Sequence, residues 1–222
     1  WHKQPEKVLD DSKLPFAKWF VGGETNLCYN CVDRHLEERA EQDAFVWVSS
    51  EINQELLDNH PGVAEAFKAL DNHVEFYTDY AKRRLTYNRL YKEVNYFADV
   101  LQRMGVGKGD RVVIYMPMIL EAAYAMLACA RIGAIHSVVF GGFAAHNLAV
   151  RIDDSEAKVV ITVDAGLRGG KIINYKNLVN QGVEQAKHKP EKVLVVDRGI
   201  LPFEPQERDI DFATERRISC DN

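Results

Sequence analysis

The sequence predicts an α/β protein built on a parallel sheet with helices on both faces. Three observations lead there. Runs 111–116, 135–140, 158–163 and 192–196 are near-continuously apolar and rich in β-branched residues, the pattern of strands covered on both sides. Helix-length segments separate them, as in successive strand–helix–strand units. Glycine turns follow the second and third runs, at Gly141-Gly142 and across 166–171.

Taken in order, residues 1–30 show little periodicity. Pro15, Trp19, Phe20, Gly22 and Gly23 predict an extended arm held over the domain surface by its aromatics. Residues 32–40 predict a short helix and 44–48 a strand. The acidic, polar segment 52–80 carries Val63, Ala66, Phe67, Leu70, Val74 and Tyr77 at helical spacing, which predicts a helix laid on the main body, with His60 and His73 at the surface. Thr86 reads as the N-cap of a helix that turns Leu90, Val94, Phe97, Leu101 and Met104 to one side and ends at Gly105.

After the first strand, Pro117 stands where its fixed φ suits a first helical residue, and Glu121 meets the positive end of the helix dipole. The Ala-rich helix 118–132 is apolar on nearly every face, which predicts burial on several sides. Arg131 and Gly133 close it with a cation and a left-handed cap. A further helix begins at Ala144 or Ala145, and another spans 175–187 with Leu178, Val179, Val183 and Ala186 inward. Beyond Arg198 the pattern fades into prolines and charges.

Composition narrows the function. A net charge of -5 gives no basic footprint, which argues against nucleic-acid partners. No apolar run is long enough to cross a bilayer and the start shows no secretory pattern, so a membrane partner is not expected. Cys28-Tyr-Asn-Cys31 with His35 offers at most three zinc ligands, and no second Cys pair completes a site. The four cysteines read as packing thiols in a reducing compartment. His136 and His146 have no nucleophile or carboxylate placed beside them and read as structural; Asp153, Asp154 and Asp164 read as caps or surface groups rather than metal ligands.

The chemistry points to the two glycine turns. In parallel sheets ligands bind beyond the carboxyl ends of the strands, where both turns fall. Gly141-Gly142 lets a ligand approach the backbone, and the helix that follows presents free N–H groups to an anion. In Gly166-Leu-Arg-Gly-Gly-Lys171, Arg168 supplies a planar donor fork and Lys171 a point charge. Together they suit a phosphorylated ligand lying across two strand ends. The same residues also describe tight turns with solvated cations, and the residues alone leave both readings open. No G-x-G-x-x-G spacing exists, which argues against a dinucleotide-dependent oxidoreductase. Ala165 and Ile172 stand where a P-loop needs Gly and Ser or Thr.

The stretches PFAKWFVGGETNLCYNCVDRH, LTYNRLYKEVNYFADVLQRMGVGKGDRVVIYMPM, LACARIGAIHSVVFGGFAAHNLAVRIDDSEAKVVITVDAGLRGGK and EKVLVVDRG resemble the N-terminal part of short-chain acyl-CoA synthetases, the acetyl- and propionyl-CoA synthetase branch of the adenylate-forming enzymes. Residues 197–199 and 209–214 resemble the propionyl type. The resemblance implies an acid–CoA ligase that joins a short-chain carboxylate, ATP and CoA through an acyl-adenylate, with Mg2+ in the complete enzyme. It implies that Phe140, Gly141 and Gly142 line the CoA channel and that Arg168 contacts the phosphates of CoA. Lys171 stands where some acetyl-CoA synthetases have Arg, and Ala144 where many have Ser. It implies an N-terminal extension over 1–84 and the first part of the AMP-binding large domain over 85–222. The family's phosphate loop, acyl pocket, adenine segment and C-terminal domain with its adenylation lysine would lie beyond, so the chain's partners are small-molecule substrates and the rest of its own enzyme. Alone it is expected to be inactive. A cytoplasmic location is expected, or the mitochondrial matrix in a eukaryote. The alternative is a non-catalytic CoA- or nucleotide-binding module with the same fold.

Overall fold

A computed structural model describes residues 1–49, 82–168 and 171–221. The helical spacing from Val63 to Tyr77, with His60 and His73, lies outside them. The chain opens with an antiparallel hairpin, β1 (Lys7–Asp10) and β2 (Lys18–Val21). The arm is not held by its aromatics as expected. Phe16 is 81% and Trp19 63% exposed, because a two-stranded ribbon has no second layer to cover them. Asn26 anchors the arm instead. Its amide donates to the carbonyls of Ala130 (2.9 Å) and Arg131 (3.1 Å), and the buried Cys28 and Val32 follow it.

The helix expected over 32–40 forms only in part: a 3-10 turn over Asp33–His35 runs into α2 (Leu36–Arg39), and a separate helix, α1 (Leu27–Cys31), precedes it. Val32, the expected first residue, stands between α1 and the 3-10 turn in non-helical geometry (φ -126°, ψ -67°) with its side chain fully buried. β3 (Asp43–Val48) pairs antiparallel with β4 (Lys82–Thr86), a strand the sequence did not announce. Thr86 then caps α3 (Tyr87–Arg103) as expected, its hydroxyl accepting from the Arg89 N–H at 3.2 Å. Leu90, Val94, Phe97 and Leu101 are buried along one face.

The main body follows as β5 (Arg111–Ile114), α4 (Leu120–Ile132), β6 (Ile135–Val138), α5 (Ala145–Ser155) and β7 (Val159–Val163). After it come a short hairpin, β8 (Gly166–Arg168) and β9 (Lys171–Ile173), then α6 (Tyr175–Gln185) and β10 (Lys192–Val196). The tail, left unassigned by the sequence, adds β11 (Asp209–Asp211) and α7 (Phe212–Asp221). Five strands form one parallel sheet in the order β6-β5-β7-β10-β11. α3 packs on α4 and α7, while α5 packs on α6, which gives the two helical layers.

Two details differ from expectation. Pro117 precedes α4 rather than starting it. The Ile119 N–H bonds back to the Pro117 carbonyl at 2.9 Å, and the Trp47 indole N–H holds the Met118 carbonyl at 2.8 Å, so the helix begins only at Leu120. The strand 135–140 shortens to Ile135–Val138 and is not covered on both sides. Ile135 is 57% and Val138 54% exposed, because β6 is the edge of the sheet. β7, at the centre, is buried at every position.

Candidate functional site

The strand order reverses between β5 and β7, and the crevice beyond their carboxyl ends is where such sheets take ligands. Both glycine segments reach this rim. The 140–143 segment leaves β6 and folds into a tight turn, the Phe143 N–H donating to the Phe140 carbonyl at 3.0 Å. The expected flexible glycine turn over 166–171 is instead the β8–β9 hairpin that leaves β7, with Gly169 and Gly170 outside the described residues. Arg168 and Lys171 are register partners at its tip, and both are exposed.

The two loops touch. The Arg168 guanidinium stacks on the Phe140 ring, 4.8 Å from its centroid, and Phe143 meets the same ring edge-on at 5.8 Å. Phe140 remains largely exposed. Of the residues expected to bind CoA, Phe140, Gly141, Gly142 and Arg168 thus form one cluster, with Lys171 beside Arg168. α5 begins next to it, and its N-cap Ala144 makes no side-chain cap, as its methyl group requires.

Beneath the turn lie two tyrosines that sequence reasoning did not single out. Tyr115, just past β5, donates its hydroxyl to the Phe143 carbonyl at 2.7 Å. Its ring lies 5.1 Å from that of Tyr175, the first residue of α6. Burial, with Tyr175 adding to it, pushes the Tyr115 phenol up to about 12, so it stays a donor across the physiological range. Both tyrosines stand in apolar or helix-start contexts, where pattern alone reads them as core.

Other groups resolve into supports. Asp164, expected as a cap or surface group, is neither. It is buried after β7, and its carboxylate accepts from the N–H groups of Arg198 (3.0 Å), Ile200 (2.7 Å) and Leu201 (3.0 Å). Asp153 accepts from the His188 N–H at 2.8 Å, and Asp154 is exposed. Glu121 does sit in the first turn of α4, where burial holds its carboxyl above the usual range against the opposing pull of its own backbone N–H, Arg83 and Arg198. Burial lowers His136; His146 is exposed on α5. Burial raises the Cys28 thiol and pushes Cys129 up to about 12, which suits packing thiols, whereas Cys31 and Cys220 are exposed. Among the described residues no group of three or more His, Cys, Asp or Glu side chains comes together to hold a metal ion. Among them, too, no helix is long and apolar enough to cross a membrane.

Known proteins match the chain along most of its length. The family model described as AMP-binding enzyme matches residues 63–217, and that described as acetyl-coenzyme A synthetase N-terminus matches residues 1–31. The propionate–CoA ligase of Salmonella typhimurium is 45% identical over 98% of this chain, and that of Escherichia coli 46% identical over 97%. In each case the match spans 30% of the relative's own length. Among solved structures, acetoacetyl-CoA synthetase from Streptomyces lividans superposes with a TM-score of 0.73 at 24% identity, covering 96% of this chain and 28% of that one. That likeness carries the fold.

Proposed function

The chain belongs to the AMP-binding enzyme family, and on that premise we propose that it is the N-terminal part of a short-chain acid–CoA ligase of the propionate type. In such a ligase the carboxylate oxygen attacks the α-phosphorus of ATP and pyrophosphate leaves. The CoA sulfur then attacks the acyl carbon of the adenylate, and AMP leaves as the C–O bond breaks.

Within that reaction this segment supplies part of the CoA entry surface. Phe140 offers an exposed ring to the adenine, Arg168 a donor fork to the phosphates and Lys171 a second positive charge. The free N–H groups at the start of α5 favour an anion at the same rim. ATP, Mg2+ and the acyl group are held mostly by segments other than this one, so the chain by itself forms no adenylate. In this reading 1–84 is the N-terminal extension, 85–222 opens the large domain, and the enzyme works in the cytoplasm.

One observation carries the proposal: the Arg168 guanidinium, on the β8–β9 hairpin, and the Phe140 ring, in the turn after β6, meet at one rim of the parallel sheet. Calorimetric titration of the full-length protein with CoA and with dephospho-CoA tests it. Tighter binding of CoA supports a phosphate site here, and binding of neither removes it. Pyrophosphate release from ATP and propionate by residues 1–222 alone, above a blank, would refute the assigned division of labour.

A further inference from the structure

Glycine in a tight turn is ordinarily required by a positive φ, which side chains disfavour. Neither Gly141 nor Gly142 has one, so their backbones are open to any residue and what excludes a side chain is space. The two spaces differ. A Cβ on Gly141 would overlap the Tyr175 hydroxyl and come within 3.0 Å of two of its ring carbons. That ring cannot step aside, being buried and packed on the fully buried Tyr115 at 5.1 Å. A Cβ on Gly142 would overlap an Arg168 guanidinium nitrogen and approach Phe140 Cε1 at 2.8 Å. Arg168 is exposed and can swing outward.

We infer that Tyr175 is the positioning residue of the 140–143 turn: Gly141 is glycine to seat the Tyr175 hydroxyl, whereas only Gly142 keeps backbone clear on the ligand side. Tyr115 holds the turn from its other end through the Phe143 carbonyl. Two rings packed at a tilt thereby set the height of the Phe140 ring and of the Gly142 backbone above the sheet. The inference rests on the CoA reading for its functional consequence and on packing alone for its structural one.

A rescue experiment in the full-length protein tests it. Gly141→Ala should lower Tm by about 2–10 °C through overpacking. It should also raise the KM for CoA by about tenfold or more while kcat changes less than about threefold, because the turn moves without disturbing adenylation. Gly141→Ala combined with Tyr175→Phe removes the overlapping oxygen and should restore most of both losses. Gly142→Ala should raise the same KM and gain nothing from Tyr175→Phe. Additive Gly141 and Tyr175 effects, or a Gly141→Ala protein indistinguishable from the parent, would overturn the inference, as would a double variant that folds no better than Gly141→Ala. Arg168→Ala separates the two readings. If it leaves the KM for CoA unchanged while the Gly141–Tyr175 pair remains coupled in Tm, the CoA assignment fails and the positioning role stands. If it raises that KM while the pair is additive, the reverse holds.

Discussion

Arg168 and Phe140 face each other across two loops, the guanidinium 4.8 Å from the ring centroid. An exposed contact of this kind contributes about 0.5–1 kcal/mol, too little to explain the pairing as a stabilising device. In the proposed CoA site both groups would exchange this contact for a flat base and a phosphate. Arg168→Ala should weaken CoA binding by about 1–3 kcal/mol, the value of a lost charged hydrogen bond. Arg168→Lys should recover only part of it, since the planar fork is lost. Calorimetry on the full-length protein checks both, and unchanged affinity in Arg168→Ala removes the residue from the site.

The buried pair Lys176–Asp209 ties α6 to β11, with Nζ 2.8 Å from Oδ2 and side chains 1% and 5% exposed. Asn180 Oδ1 takes a further bond from the same ammonium, and the Phe203 ring lies 5.9 Å away. Asp209→Asn leaves a buried cation unpaired and should cost about 3–5 kcal/mol in urea unfolding. Replacing both partners, as Lys176→Met with Asp209→Leu, should recover most of that. A loss below about 1 kcal/mol for the single variant would mean that water reaches Lys176.

Glu93 docks the C-terminal helix. Its carboxylate takes two bonds from Arg216 (2.9 and 2.6 Å) and pairs with Arg89 at 2.7 Å, which joins α7 to α3. Glu93→Gln should cost about 1.5–3 kcal/mol, as loss of charged hydrogen bonds does. Amide exchange should locate the change, with protection over 212–220 falling before that of the sheet. Uniform loss of protection across the molecule would contradict a local docking role.

Tyr115 predicts an alkaline limit. Its phenol is raised to about 12 in the folded protein, against about 10 in an unfolded chain. The folded state keeps its proton where the unfolded state has lost it. Its contribution is therefore complete below about pH 10 and is lost between about pH 10 and 12, at about 1.4 kcal/mol per unit. Urea midpoints for Tyr115→Phe should be lower at about pH 9, by the lost bond to the Phe143 carbonyl, yet should fall less steeply above pH 10. An identical alkaline slope in parent and variant would exclude Tyr115 as its source.

Much of this architecture was legible because burial follows the covalent repeat. The runs at β5, β7 and β10 are continuous in apolar residues and lie inside the sheet, and the three-and-four spacing of Leu90, Val94, Phe97 and Leu101 marks the buried side of α3. Thr86 and Gly133 were legible as ends because each cap needs one residue type in one place. β4 and β11 were not. They are short and charged, and exist because β3 and β10 offer them free edges. The same holds for Val32, which the spacing places in a helix and the structure buries in non-helical geometry between α1 and the 3-10 turn.

By itself, then, the amino-acid order determined the alternation of strands and helices and put Phe140, the two glycines, Arg168 and Lys171 in segments that follow strands, since these depend only on neighbours in the chain. The tertiary structure alone decided that Arg168 turns onto Phe140, that Gly141 gives way to Tyr175, and that Lys176 finds Asp209. Each of those contacts joins residues from separate elements, and the strand order of the sheet selects which of them meet.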